Sequence, residues 1–101
     1  MIAEITVVPV GAEAASMRDY VDEAVEAIKD TGVRCQVTAM GTNVEGSFDD
    51  ILRAFKAAHD ACVAEGAPRV VAMLRIDHRM DKPERLQQEI DETEEEAAAP
   101  V

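Results

Sequence analysis

Glu45 is the residue of this chain with the most chemistry to offer. It stands in Met40-Gly41-Thr42-Asn43-Val44-Glu45-Gly46. A carboxylate placed mid-sheet and then covered must be paired, hydrogen-bonded or protonated. Two uses fit: a ligand-binding carboxylate, or an ion pair with Arg34 or Arg75 across an interface between copies. The other reactive side chains are scattered. Cys35 lies in an alternating apolar stretch and Cys62 on an apolar helical stripe, with no C-x-x-C spacing, so both read as small buried hydrophobes. His59, His78, Asp77 and Asp81 show neither H-x-x-x-H nor calcium-loop spacing, and no metal site is expected. Asp77, Arg79 and Asp81 read as an ion-paired turn, with Asp81 capping the helix that follows. No nucleophile elbow, phosphate loop or dinucleotide fingerprint appears, and no catalysis is expected.

Composition narrows the class. The chain has 101 residues, 48% of them hydrophobic, which suits one folded domain rather than a disordered polymer. With 21 acids against 10 bases, the net charge of -11 disfavours nucleic acid as a partner, since phosphates need clustered Lys and Arg. No apolar run approaches the roughly 20 residues of a membrane span. The opening Met1-Ile2-Ala3-Glu4 lacks a basic region, and the two cysteines suit a reducing compartment, so a cytoplasmic location is expected. The run from Asp91 to Glu96 holds five of the acids and reads as a disordered tail over residues 91–101. The remaining excess suits a cation-rich interior that screens self-repulsion. The unfolding midpoint is therefore expected to rise with potassium chloride; a flat response would contradict this.

The elements that hold these residues follow from periodicity. Residues 2–10 are rich in Ile and Val and read as a strand, weakened at Pro9. Ser16-Met17-Arg18-Asp19 carries a helix start signal with Ser16 as N-cap, and Gly32 closes that helix. Residues 33–40 alternate as a second strand. Gly41-Thr42 has the pattern of a two-residue hairpin turn, with a third strand over 43–46. That register pairs Met40 with Asn43, Ala39 with Val44 and Thr38 with Glu45. Ser47-Phe48-Asp49-Asp50 starts a second helix, striped by Ile51, Phe55, Ala58 and Cys62. Residues 69–77 form a fourth strand, and Asp81-Lys82-Pro83-Glu84 opens a C-terminal helix. The order βαββαβ is the α+β, ferredoxin-like sandwich: a four-stranded antiparallel sheet, order 4-1-3-2, with both helices on one face. One domain over residues 1–90 is expected.

The face away from the helices carries Glu4, Thr6, Val8, Thr38, Met40, Asn43, Glu45, Met73 and Arg75. A domain this small buries little core, so that face is expected to pack on a second copy. Glu45 would then lie mid-sheet between Thr6 and Thr38.

The opening Ile5-Thr6-Val7-Val8-Pro9-Val10-Gly11 belongs to a wider pattern. Ser16 with Tyr20-Val21, Met40-Gly41-Thr42-Asn43-Val44-Glu45-Gly46, Lys56 with His59, Arg69-Val70, and Arg75-Ile76-Asp77-His78-Arg79-Met80-Asp81 complete it. On these residues the chain resembles the thiamine-binding protein family, small ferredoxin-like proteins once catalogued as uncharacterised. The resemblance covers about residues 2 to 90 and leaves out the acidic tail.

The resemblance implies sheet-to-sheet dimers, commonly paired into tetramers, that bind thiamine or its hydroxymethylpyrimidine half without a cofactor. Such a ligand is a small heterocycle, cationic in thiamine itself, and a chain of net charge -11 attracts cations. Glu45 could accept from the pyrimidine amino group. Thr6, Thr38, Thr42 and Asn43 could supply polar contacts, and the Met40 or Met73 thioether could lie on the ring. Ser16 could border the pocket. A cavity for such a ligand is expected between two sheets. A homo-oligomeric module without a small ligand is the competing expectation, because each of these polar residues also suits a subunit contact.

Overall fold

A computed structural model describes residues 1–11 and 14–81. Its elements are β1 (Ile2–Val10), α1 (Ala14–Asp30), β2 (Arg34–Val37), β3 (Thr42–Glu45), α2 (Phe48–Ala64) and β4 (Arg69–Asp77). The sheet is antiparallel in the order β2-β3-β1-β4, the expected ferredoxin-like order read from its other edge. The expected C-terminal helix beyond Asp81 and the acidic tail lie outside the described residues.

The core forms where the apolar stripe of each helix meets one sheet face. Ala3 and Ile5 of β1 and Val44 of β3 are buried beneath Tyr20, Ala24 and Ile28 of α1. From α2 come Ile51, Ala54, Ala58 and Cys62, each fully buried. Phe55, placed on the same stripe by periodicity, is only partly buried at the edge of this cluster. The alanines let the two helices approach closely. Arg53 of α2 also donates to the Thr31 carbonyl at 2.6 Å, tying α2 to the turn that ends α1.

Helix α2 starts as its sequence signal predicts. The Asp50 amide donates to Ser47 Oγ, and the Ser47 amide to Asp50 Oδ2, both at 3.1 Å. That backbone amide, and then the Arg53 guanidinium, hold the Asp50 carboxyl below its ordinary 3.8. Lys56 and then His59 do the same for Asp60. A depressed carboxyl stabilises the fold fully above the unfolded value and loses that contribution as pH falls through the folded one. The unfolding midpoint should therefore drop below pH 3.8, and less steeply in Asp50→Asn than in wild type. Equal slopes in an acid titration would rule out the capping box as a contributor.

Two boundaries differ from expectation. Helix α1 begins at Ala14, so Ser16 lies in its first turn rather than at its N-cap. Ala14 and Ala15 favour helix strongly enough to extend it upstream of the cap-like signal. The β2–β3 register also differs: Val37 pairs with Thr42, Gln36 with Asn43, Cys35 with Val44 and Arg34 with Glu45. The connection is a loop over Thr38–Gly41, not a two-residue turn. Thr38 closes it with its own groups. Its amide and hydroxyl both donate to the Gly41 carbonyl, at 2.8 and 3.0 Å, and its hydroxyl accepts from the Met40 amide at 3.3 Å. Local bonds of this kind compete with a sheet ladder, and here they win. The slip is even-numbered, so inward and outward faces are preserved although every partner changes.

Candidate functional site

Strand β1 is longer than the strand beside it. Its pairing with β3 runs only from Ile2↔Glu45 to Ile5↔Thr42, while its pairing with β4 continues to Val10↔Arg69. Beyond Ile5 the side of β1 toward β3 is therefore bare, and the Thr38–Gly41 loop folds over it. Thr6 Oγ1 donates to the Met40 carbonyl at 3.3 Å. Helix α1 forms the opposite wall with Val21, Ala24, Val25 and Ile28. The result is a cleft of about 220 Å³ between helix, strand end and loop. Thr42 lines it, 5% exposed, and among the described residues its hydroxyl has no hydrogen-bond partner.

A second concavity lies on the open sheet face, outside the same corner. Glu4, Thr6, Met40, Met73 and Arg75 enclose about 330 Å³. Thr6 and Met40 border both spaces. Glu4 and Arg75 face each other at 3.9 Å, a loose pair in which the Glu4 side chain is one-third exposed. Thr6 pairs with Met73 across β1 and β4, and Glu4 with Asn43 across β1 and β3, so these four share one face.

Of the residues singled out by sequence, Thr6, Thr38, Met40 and Thr42 gather around the cleft. Met73 lies beside them on the open face, and Asn43 is opposite Glu4. Thr42 is a β3 residue on the covered face, not a turn residue. Glu45 stands elsewhere. It is opposite Ile2 and Arg34, at the other end of β3, and not between Thr6 and Thr38. Its side chain is 12% exposed, with Oε2 at 3.7 Å from Arg34 Nε of the same chain. The register is the reason: closing the loop at Thr38 carries Glu45 four residues away from that corner. The carboxylate at the corner is Glu4. Its two-residue spacing from Thr6 already put both on one face of β1, and that alternation was the signal for it.

The other reactive groups stand apart from this corner. Burial raises the Cys62 thiol, keeping it protonated and unreactive. His59 Nδ1 pairs with Asp60 at 3.0 Å on the exposed side of α2. Arg79 donates twice to Asp81, at 3.0 and 2.7 Å. Among the described residues no three His, Cys, Asp or Glu side chains are grouped to hold a metal ion, and no helix is long and apolar enough to cross a membrane.

The thiamine-binding protein family matches residues 3–94. A UPF0045 protein of Methanothermobacter thermautotrophicus is 39% identical over 94 residues, spanning 92% of this chain and 95% of the relative. The crystal structure of a hypothetical protein from Methanocaldococcus jannaschii superposes with a TM-score of 0.83 at 37% identity, covering 93% of this chain and 95% of that one. A Thermotoga maritima protein assigned provisionally to thiamine biosynthesis or salvage superposes with a TM-score of 0.76 at 27% identity, over 91% of this chain and 96% of that one.

Proposed function

The chain belongs to the thiamine-binding protein family, and from that membership we propose that it is a non-enzymatic binder of thiamine or its hydroxymethylpyrimidine half, acting in the cytoplasm. The observation that carries this reading is the pairing of two spaces at one corner. The cleft behind Thr6 and Met40 is small, mostly apolar and edged with threonines, a setting that suits a heterocycle. The groove in front of them holds Glu4 and the Met73 thioether, a suitable setting for a thiazolium cation. In this arrangement the pyrimidine enters the cleft and the cationic ring rests in the groove against Glu4.

A second copy of the chain completes the site. The open face exposes Val8, Val71 and Met73 at 38%, 39% and 50%. Packing two such faces buries that apolar area and roofs the groove. Dimers of this kind then pair into tetramers. Glu45 acts in this reading through its ion pair with Arg34, at the far end of the sheet.

Calorimetric titration with thiamine, hydroxymethylpyrimidine and thiamine phosphates tests the reading. Saturable binding is expected. Glu4→Gln should weaken thiamine several-fold, on the order of 1 kcal/mol for a partly exposed charge pair, and leave neutral hydroxymethylpyrimidine unchanged. Glu45→Gln should change neither. Silence toward all three ligands would favour a homo-oligomeric module without a small ligand.

A further inference from the structure

We propose that residues 82–91 of this chain cover an apolar groove between the outer flank of α2 and the edge strand β4, seating Leu86 and Ile90 against Phe48, Leu52 and Ile76. The groove lies on the helix side of the sheet, apart from the cleft and from the open face.

The flank of α2 supplies the first observation. Ile51, Ala54, Ala58 and Cys62 point into the core. Arg53, which reaches the Thr31 carbonyl, marks the side toward α1. At about 3.6 residues per turn, Phe48, Leu52, Phe55 and Val63 fall together on the opposite flank. Phe55 is partly buried, but Phe48, Leu52 and Val63 are 48%, 42% and 53% exposed. A helix with a single buried face needs one apolar stripe, and α2 carries a second beside it.

Strand β4 supplies the second observation. Among the described residues it is a sheet edge, and α2 is the helix that packs on it. Ile76 pairs with Ala3 and Leu74 with Ile5, so both turn toward the helix layer. Ala3 and Ile5 are 3% and 2% exposed, whereas Ile76 is 37% exposed. The helix layer therefore stops short of β4, and the second stripe of α2 overlooks the step. A contiguous apolar step of this kind marks a contact surface.

Chain direction selects the occupant. A second copy docked on the open face, as proposed above, leaves this groove bare. β4 ends at Asp77, opposite Ile2. The Met1 ammonium donates to the Gly46 carbonyl, and the Gly46 amide to the Met1 carbonyl, one residue before the Ser47 N-cap of α2. The end of β4 and the start of α2 thus share one end of the sheet, and the chain that continues past Asp81 departs beside Phe48. In residues 82–96 the only large hydrophobic side chains are Leu86 and Ile90. They stand four apart, as Phe48 and Leu52 do, and Pro83 before them suits a helix start. One helical turn puts such a pair on one side, about 6 Å apart. A segment running back along α2 then sets Leu86 by Phe48 and Ile76, and Ile90 by Leu52 and Leu74.

Trypsin tests this on the full chain, because Arg85–Leu86 is a cleavable bond inside the segment and Lys82–Pro83 is not. Release of fragment 86–101, followed by mass spectrometry under native conditions, should be about tenfold or more slower than from a synthetic peptide of residues 80–101. Leu52→Gln should abolish most of that protection, since cleavage follows the undocked population, and Leu52→Met, which keeps the apolar contact, should retain it. In urea unfolding, Leu52→Gln and Leu86→Gln should each lower the folding equilibrium constant about tenfold, and the double variant by far less than about a hundredfold, because both remove one contact. Wild-type release as fast as from the peptide, or an unchanged unfolding midpoint in Leu52→Gln, would overturn the proposal. Protection that disappears on dilution would give the groove to a second copy and overturn it equally.

Discussion

Gly41→Ala should weaken thiamine binding at least tenfold and lower stability by about 1–3 kcal/mol, the usual cost of forcing extra volume into a packed position. The reason is close approach rather than an unusual backbone angle. A Cβ on Gly41 would lie 2.7 Å from the Ile5 carbonyl oxygen and 2.9 Å from Thr6 Oγ1. The first of these is backbone in the final step of the β1–β3 ladder, so it cannot swing aside. The loop must lift instead, breaking the Thr6 bond to the Met40 carbonyl and the Thr38 bonds to Gly41. Those bonds shape one wall of the cleft. Gly32→Ala is the control. Gly32 has φ +78° with open space around it, so alanine there strains the backbone without touching the site. It should cost about 1 kcal/mol and leave affinity alone. Urea unfolding and calorimetry on both variants separate the two effects. A Gly41→Ala protein that binds thiamine as wild type does would mean that the loop plays no part in recognition.

Ile51→Ala should be the most damaging single truncation in the core, at about 2–5 kcal/mol. Ile51 is wholly buried in α2, beside Ala54 and Ala58 on the same helix and Val44 beneath. The neighbouring alanines have no side chain to reach into the space, so the cavity stays open and its cost is close to the upper part of that range. A domain of this size has only about 5–15 kcal/mol to lose. The urea midpoint should fall while the slope stays the same. A loss under about 1 kcal/mol would show that the helices close over the gap. Because Ile51 lies on α2, away from the cleft lined by α1 and the β2–β3 loop, the folded fraction should keep its ligand affinity.

Much of this architecture could be read from pattern alone. Alternation in β1 and β4 set their inward and outward residues, and the Ile51, Ala58, Cys62 stripe set the buried side of α2. Ser47 with Asp50 marked the start of α2. These are local rules: a period of two or of nearly four depends only on neighbours in the chain, and a capping box closes within four residues. Three of the proposed binding residues, Thr38, Met40 and Thr42, were also within reach, because they border one connection; Thr6 of β1 joins them only through the sheet.

The partners across the sheet were not. Gly41-Thr42 satisfies a two-residue turn as well as it satisfies the end of a longer loop, and the hydroxyl of Thr38 tips the balance only once it meets Gly41. That one closure moves Glu45 to Arg34, and the separate β1–β3 register, with Ile5 opposite Thr42, brings Glu4 to the corner and ends the ladder there. By itself, then, the order of residues determined which elements form and which side of each is apolar, since short-range periodicity and capping suffice for that. Only the folded chain decided which carboxylate meets the threonines, because register depends on hydrogen bonds between residues far apart in sequence, and shifts of two or four residues satisfy the same pattern equally well.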